Sequence, residues 1–183
     1  MYLLRHCESF FNLHFNRDRR DPGIQDPELT PAGHAHASSI AAALQGLEVR
    51  HLIISPYTRT LQTATYVLDR LALTARIEQQ VRERTAFTCD IGSHPLELAR
   101  RFPRHDFSHL PARWWHEGIE TAEQTEARAA GFRTQMAARS DHAHTLVITH
   151  WAFILALTGQ SVANGQWIRF DPEAAAPQRI AWP

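Results

Sequence analysis

The chain has 183 residues, 44% of them hydrophobic and 21% charged, with a formal net charge of zero. That is enough for one domain with a full core, and the balance of charge argues against a nucleic-acid or anionic-membrane binder. All 19 basic residues are arginine, so mechanisms that need lysine, such as the P-loop and Schiff-base chemistry, are excluded.

The first strand is read in "YLLR", followed at once by His6. Residues 11–28, "FNLHFNRDRRDPGIQDPE", show no sustained period and carry two proline turns, which predicts a loop. Within it "NRDRRD" (16–21) is either a solvated charge run or a contact for a second anion. Thr30 is a helix N-cap with Pro31 at the first helical position, and the helix stops at Gly46. "VRHLIIS" (49–55) reads as a buried strand, "YTRTLQTATYVLDRLAL" (57–73) as an amphipathic helix and "ARIEQQV" (75–81) as a strand. A short helix is expected around 95–102, then an aperiodic, aromatic-rich stretch with Trp114 and Trp115 that either walls a pocket or covers the core. Residues 121–140 form a long helix, 145–149 a buried strand, 151–159 a buried helix and 166–170 a last strand.

Strands alternating with helices predict a three-layer α/β/α sandwich with a mostly parallel sheet. Ligands in such folds gather beyond the carboxyl ends of the strands. Arg5 and His6, Ser55 with Arg59, and His150 all lie at or just after such ends, so distant segments direct polar groups to one rim.

Four of these segments carry a resemblance to a known family. "LRHCESFFN", "LTPAGHAHA", "SPYTRTLQTA" and "VITHWAFI" occur in that order over residues 1–157 and resemble motifs of the histidine phosphatase superfamily, also called the phosphoglycerate mutase-like family. The resemblance implies a single domain over 1–183 with a lid or insertion around 86–120. It implies His6 as a nucleophile that becomes a phosphohistidine, with Arg5, Arg59 and His150 around the phosphoryl oxygens and Asn12 as a neutral donor. Glu83 matches the family's proton donor, with Asp90 in reserve. Ser55 and Trp151 join the substrate-binding set. No cofactor or metal is implied; the partner is a small phosphate ester, and monomer and homodimer are both compatible. Two departures stand out. Cys7 replaces a glycine, and Trp151, counted in the substrate-binding set, replaces another at the first residue of a helix, a place from which the core is also within its reach.

The expected activity is metal-independent phosphomonoester hydrolysis, favoured over mutase activity because the chain is short. The alternative is a non-catalytic phosphate-binding module; a zinc hydrolase is a third option, resting on the pairs His34/His36, His105/His109 and His142/His144. Cys7 and Cys89 are too few for a disulfide framework, and no signal-peptide pattern or membrane-length apolar run is read, so a cytoplasmic setting is expected. A thiol beside Arg5 and His6 would have a lowered pKa and so offer a redox switch, but the favoured reading of Cys7 and Cys89 is two ordinary buried thiols.

Overall fold

A computed structural model describes residues 1–182. Five strands form one sheet in the order β3-β2-β4-β1-β5. β1 (Tyr2–Arg5), β2 (His51–Ile54), β3 (Thr74–Ile77) and β4 (Thr145–Thr149) run parallel, and β5 (Trp167–Arg169) closes the β1 edge antiparallel. Every strand expected from the sequence is present, as is the mostly parallel pairing.

The period of two along each strand sorts the core into halves. Leu4, Leu52, Ile54, Leu146 and Ile148 face one way, against α2 (Pro31–Ala43) and α3 (Thr58–Leu68). Leu3, Ile53 and Val147 face the other way, against α5 (Ala122–Ala137) and α6 (Trp151–Thr158). β4 is buried along its whole length because it lies between β2 and β1 with helices on both faces. The layers are therefore α2α3, sheet, α5α6.

The predicted helix starts are seen atom by atom. Thr30 caps α2 through its hydroxyl, which accepts from the Gly33 amide at 2.9 Å, and Pro31 occupies the first turn. Gly33 is needed for close approach: a Cβ there would overlap the Glu8 carbonyl, against which the start of α2 is laid. Thr121 opens α5 with a capping box to Gln124.

The expected loop over residues 11–28 is corrected. Phe10–Asp18 is a helix, α1, and only the rest is irregular. Its start is a capping box in which Ser9 and Asn12 exchange hydrogen bonds, and Arg19 ends it in the left-handed region at φ 58°. The aperiodic stretch after α4 (Pro95–Arg101) covers the core: Phe107, Leu110 and Trp114 are buried in the α2α3 half, and the Trp114 indole donates to the Ser93 carbonyl at 3.0 Å. Trp114 therefore does not wall a pocket. Among the described residues no helix is long and apolar enough to cross a membrane.

Candidate active site

β1, β2 and β4 end side by side, and the residues that follow them converge. His6 follows β1 and donates its own amide to the Thr149 carbonyl at 3.0 Å; the Ser55 amide donates to the Ile148 carbonyl at 3.1 Å. Arg5, His6, Asn12, Arg59 and Glu83 line one cavity of about 620 Å³ at this edge of the sheet.

His6 is almost fully buried, and its Nδ1 lies 2.7 Å from the Cys7 carbonyl. A carbonyl only accepts, so Nδ1 carries the proton and Nε2 keeps its lone pair. Burial, and then the charges of Arg59 and Arg5, hold the ring well below the usual histidine range. The imidazole is neutral at working pH, with one nitrogen free to attack.

The two arginines are held from behind. Arg5 donates through one guanidinium nitrogen to the Val162 carbonyl at 2.8 Å, while its Nε is buried with no partner among the described residues. Desolvation takes Arg5 down to about 10, offset in part by Glu83, which still leaves it charged at neutral pH. Arg59 donates to the Cys89 carbonyl at 2.8 Å and to Asp90 Oδ1 at 3.2 Å, and its guanidinium lies over the Tyr57 ring, 4.3 Å from the centroid. Tyr57, which the sequence reading did not single out, in turn donates its hydroxyl to the Asp90 carbonyl at 2.6 Å.

His150 is fully buried below the cavity surface, with its ring centroid 5.2 Å from that of His6. Its Nε2 is 2.7 Å from the Ser55 hydroxyl, and its Nδ1 is buried without a partner among the described residues. Burial and the charge of Arg59 keep this ring neutral too. Ser55 and His150 are both fully buried and neither forms part of the cavity wall; the Ser55 hydroxyl orients the His150 ring, which packs against His6.

The two carboxylates differ. Glu83 accepts from the Arg84 amide at 2.9 Å and from the Ala152 amide, in the first turn of α6, at 3.0 Å. Burial first, and the nearby Asp90 carboxylate second, raise it from 4.5 to about 7. Asp90 is also pushed up by burial, but Arg59, the amides of Ala86 and Phe87, and the Cys89 thiol all donate to it and favour the anion. Its Oδ1 fixes Arg59 and its Oδ2 holds the Ala86 and Phe87 amides. Glu83 is thus the better placed of the two as a proton carrier.

Asn12 sits in the first turn of α1, and its Oδ1 accepts from the Ser9 amide at 3.0 Å and from Asn164 at 3.2 Å, leaving Nδ2 as a donor. Asn164 also donates to the His6 carbonyl at 3.2 Å, a link between residues 158 apart that no local pattern announces. Trp151 lines the cavity, half-buried, with its indole donating to the Ser161 hydroxyl at 2.9 Å. It therefore does not point into the core. Cys7 does not adopt a positive φ, so the backbone there tolerates a side chain. Its thiol is fully buried, and desolvation pushes it up to about 12, the opposite of the lowering that a redox switch would need. Cys89 is likewise raised by burial and by Asp90.

Of "NRDRRD", Asn16 and Arg19 reach the cavity, while Asp21 accepts from the Thr88 amide at 2.8 Å. The histidine pairs have other partners: His34 meets the Tyr66 hydroxyl, His109 the Ile77 carbonyl and His144 the Glu48 carbonyl. No group of three or more metal-ligating side chains poised for an ion occurs among the described residues.

The model of the histidine phosphatase superfamily (branch 1) matches residues 1–177. A curated relative, "Probable phosphoglycerate mutase GpmB" of Enterobacter sp. (strain 638), is 32% identical over 83 residues, 45% of this chain and 37% of that protein. The protein of the same name from Yersinia pestis (strain Pestoides F) is 34% identical over 83 residues with the same coverage. The chain thus spans well under half the length of the curated relatives it matches. Among solved structures, an ecdysone phosphate phosphatase from Bombix mori in complex with tungstate superposes with a TM-score of 0.67 at 16% identity, over 100% of this chain and 95% of that one. A mycobacterial glucosyl-3-phosphoglycerate phosphatase complexed with VO3 gives 0.64 at 19% identity, over 91% and 88%. These likenesses carry the fold.

Proposed function

Because the chain belongs to the histidine phosphatase superfamily, branch 1, we propose that it is a phosphomonoester hydrolase that works through a phosphohistidine on His6 and needs no metal. The observation that carries this reading is the pinned, neutral His6 with its free Nε2, set in one cavity with Arg5, Arg59 and a Glu83 poised near pH 7.

In the first step the Nε2 lone pair of His6 attacks phosphorus and the ester P–O bond breaks. The leaving oxygen takes the proton of Glu83, which favours the neutral acid up to about pH 7. The alcohol departs, and the imidazole is left bonded to phosphorus at Nε2 with Nδ1 still protonated and donating to the Cys7 carbonyl. In the second step the Glu83 carboxylate takes a proton from water as its oxygen attacks phosphorus, the N–P bond breaks, and its electron pair returns to Nε2. Inorganic phosphate and the starting enzyme result.

Phosphoryl transfer passes through a loose transition state whose charge lies on the equatorial oxygens, so fixed donors supply most of the acceleration. Arg5 lines the cavity, and its Nε is a buried donor with an unspent hydrogen that a phosphoryl oxygen would satisfy; His150 packs behind the wall against the His6 ring. Since Arg5 and Arg59 stay charged, they supply the cationic field that a divalent ion supplies in other phosphoryl-transfer enzymes.

The test is turnover of p-nitrophenyl phosphate between pH 5 and 8 with EDTA present. Expected are chelator-resistant hydrolysis, inhibition by vanadate, an acid-labile phosphoenzyme after rapid quench, and a loss on the order of 10³-fold or more in His6→Ala. Activity that disappears with EDTA points to the zinc reading instead; phosphate binding without turnover of any ester points to the non-catalytic module.

A further inference from the structure

The cavity is much larger than a phosphoryl group requires: about 620 Å³ lies within the range that holds a whole drug-sized molecule. Away from Arg5 and Arg59 its wall carries four aromatic side chains, Phe11, Phe15, Phe87 and Trp151, interspersed with Asn16, Arg19 and Arg84. The rings of Phe11 and Phe15, one helical turn apart on α1, stack with centroids 5.1 Å apart and planes within 14°. Phe87 leans on both, 5.5 Å from Phe11 and 5.1 Å from Phe15, and is 41% exposed despite its size. Trp151 adds an indole to the same cavity.

This wall is fixed relative to the phosphate end. The Phe87 amide donates to Asp90 Oδ2 at 3.1 Å, and Asp90 Oδ1 holds Arg59. The next residue, Thr88, ties its amide to Asp21, just beyond α1. α1 is anchored in turn by its capping box and by the Phe10 amide, which donates to the Glu28 carbonyl at 3.0 Å. One carboxylate therefore sets the spacing between the guanidinium and the Phe87 ring.

From this juxtaposition we infer that the enzyme's substrates are phosphate esters of planar, apolar alcohols or phenols, whose ring system lies on the Phe11–Phe15–Phe87 wall while the phosphate meets Arg5, His6 and Arg59. The inference rests on the phosphatase reading for the fate of the ester, but the recognition it describes is independent of turnover. A small polyhydroxylated or acidic substrate would need several hydrogen-bond partners at this end of the cavity. Of the polar side chains on the wall besides Asn16, Arg84 spends its Nε on the Glu120 carbonyl and lies over the Trp182 ring, and Arg19 lies against the Phe15 ring at 5.8 Å from its centroid, extending the flat surface. Three converging rings offer area and a quadrupole that favour another ring system over a hydrated chain.

The experiment pairs binding with turnover. Calorimetry on the wild-type protein compares 1-naphthylmethylphosphonate with methylphosphonate, neither of which is hydrolysed; kcat/KM is measured for 1-naphthyl phosphate, glycerol 2-phosphate and 3-phosphoglycerate. The aryl phosphonate is expected to bind about tenfold or more tighter, and 1-naphthyl phosphate to be the best ester. Phe87→Ala, an exposed position, is expected to erase most of that preference while leaving methylphosphonate affinity within about twofold, and Phe87→Trp to restore it. Equal affinity for the two phosphonates, a preference for 3-phosphoglycerate, or an equal loss for both ligands in Phe87→Ala would overturn the inference. Turnover of all three esters at similar rates overturns it and spares the hydrolase reading. An aryl preference in binding with no hydrolysis of any ester does the reverse.

Discussion

The two ends of the cavity are built by different means. At the phosphate end every functional side chain is restrained by a second polar partner: His6 by a carbonyl, Arg5 by Val162, Arg59 by Cys89 and Asp90, and His150 by Ser55. At the mouth Phe11, Phe15 and Phe87 are restrained by one another, by the Arg19 guanidinium over Phe15 and by the backbone beneath them, with no hydrogen bond to their rings. Fixed donors are what a charged transition state rewards, because nothing has to reorganise as charge develops. Ring contacts are short-ranged and forgiving, which suits a surface that selects by area. On the proposed function, the first end would set the reaction and the second the range of substrates.

The largest effect that would break this division belongs to Arg59. Arg59→Met removes a fixed cation and leaves Asp90 buried among its remaining donors; kcat/KM is expected to fall on the order of 10³-fold, for aryl and small esters alike. Asp90→Asn keeps the guanidinium and loosens it, for an expected loss of about 10- to 100-fold, and because the Asp90 charge helps to raise Glu83 the basic limb of the pH–rate profile is expected to move to lower pH without vanishing. A basic limb that vanishes in Asp90→Asn would mean that Asp90, and not Glu83, carries the proton.

Glu83 comes next, because it places function and stability in opposition. Its carboxyl is raised from 4.5 to about 7 in the folded protein by burial and by Asp90. The fold therefore prefers the protonated acid. The stability attached to this preference is fully present below pH 4.5 and is lost as pH rises through about 7, where the unfolded chain is ionised and the folded one resists it. Glu83→Gln keeps an oxygen for the Ala152 and Arg84 amides and removes the charge. It is expected to lower kcat roughly 100-fold while raising stability at pH 8 by on the order of 1–3 kcal/mol relative to wild type, with no gain at pH 4. Urea melts at the two pH values measure the difference; a stability gain equal at both would show that its charge is not held against burial.

The same contrast explains what could be read beforehand. His6, Arg5, Arg59, Glu83 and His150 sit in short, ordered motifs at strand and helix ends, and the periodicities around them were strong enough to give all five strands. α1 was hidden because its capping box ends in Asn12 where glutamate or glutamine is the usual signal, and because the chain turns irregular soon after Asp18. With that helix unread, Phe11 and Phe15 had no common face and the aromatic wall had no outline. Other supports were beyond any local pattern: Ser55 meets His150 across 95 residues, and Arg128 reaches back 46 residues to the Arg82 carbonyl. Spacing along a chain reports which residues share a face, and only the closed fold reports which face meets which.

Arg128 gives a smaller effect that sharpens the account of the phosphate end. Its guanidinium donates to both carboxylate oxygens of Glu120 and to the carbonyls of Gln80 and Arg82, gripping the segment that delivers Glu83. Arg128→Lys keeps the charge beside Glu120 but loses the fork. We expect kcat to fall about tenfold with KM little changed, and the basic limb of the pH–rate profile to move as the surroundings of Glu83 loosen. An unchanged pH profile alongside a lowered melting temperature would reduce Arg128 to a purely structural tie.

The smallest expected effect is none at all, and it tests how closed the phosphate end is. Cys7 and Cys89 lie within that end, both buried, with the Cys7 thiol pushed up to about 12 and Cys89 raised as well. Thiolate is the reactive form, so each is protected twice, by access and by protonation. Peroxide and aryl disulfide reagents at pH 8 are therefore expected to leave turnover unchanged, and labelling is expected to proceed only at the rate of global unfolding, so that it accelerates with urea in step with the unfolding transition. Rapid labelling of Cys7 in native buffer would mean that the backbone carrying His6 opens readily. The difference in rigidity between the phosphate end and the aromatic mouth would then disappear.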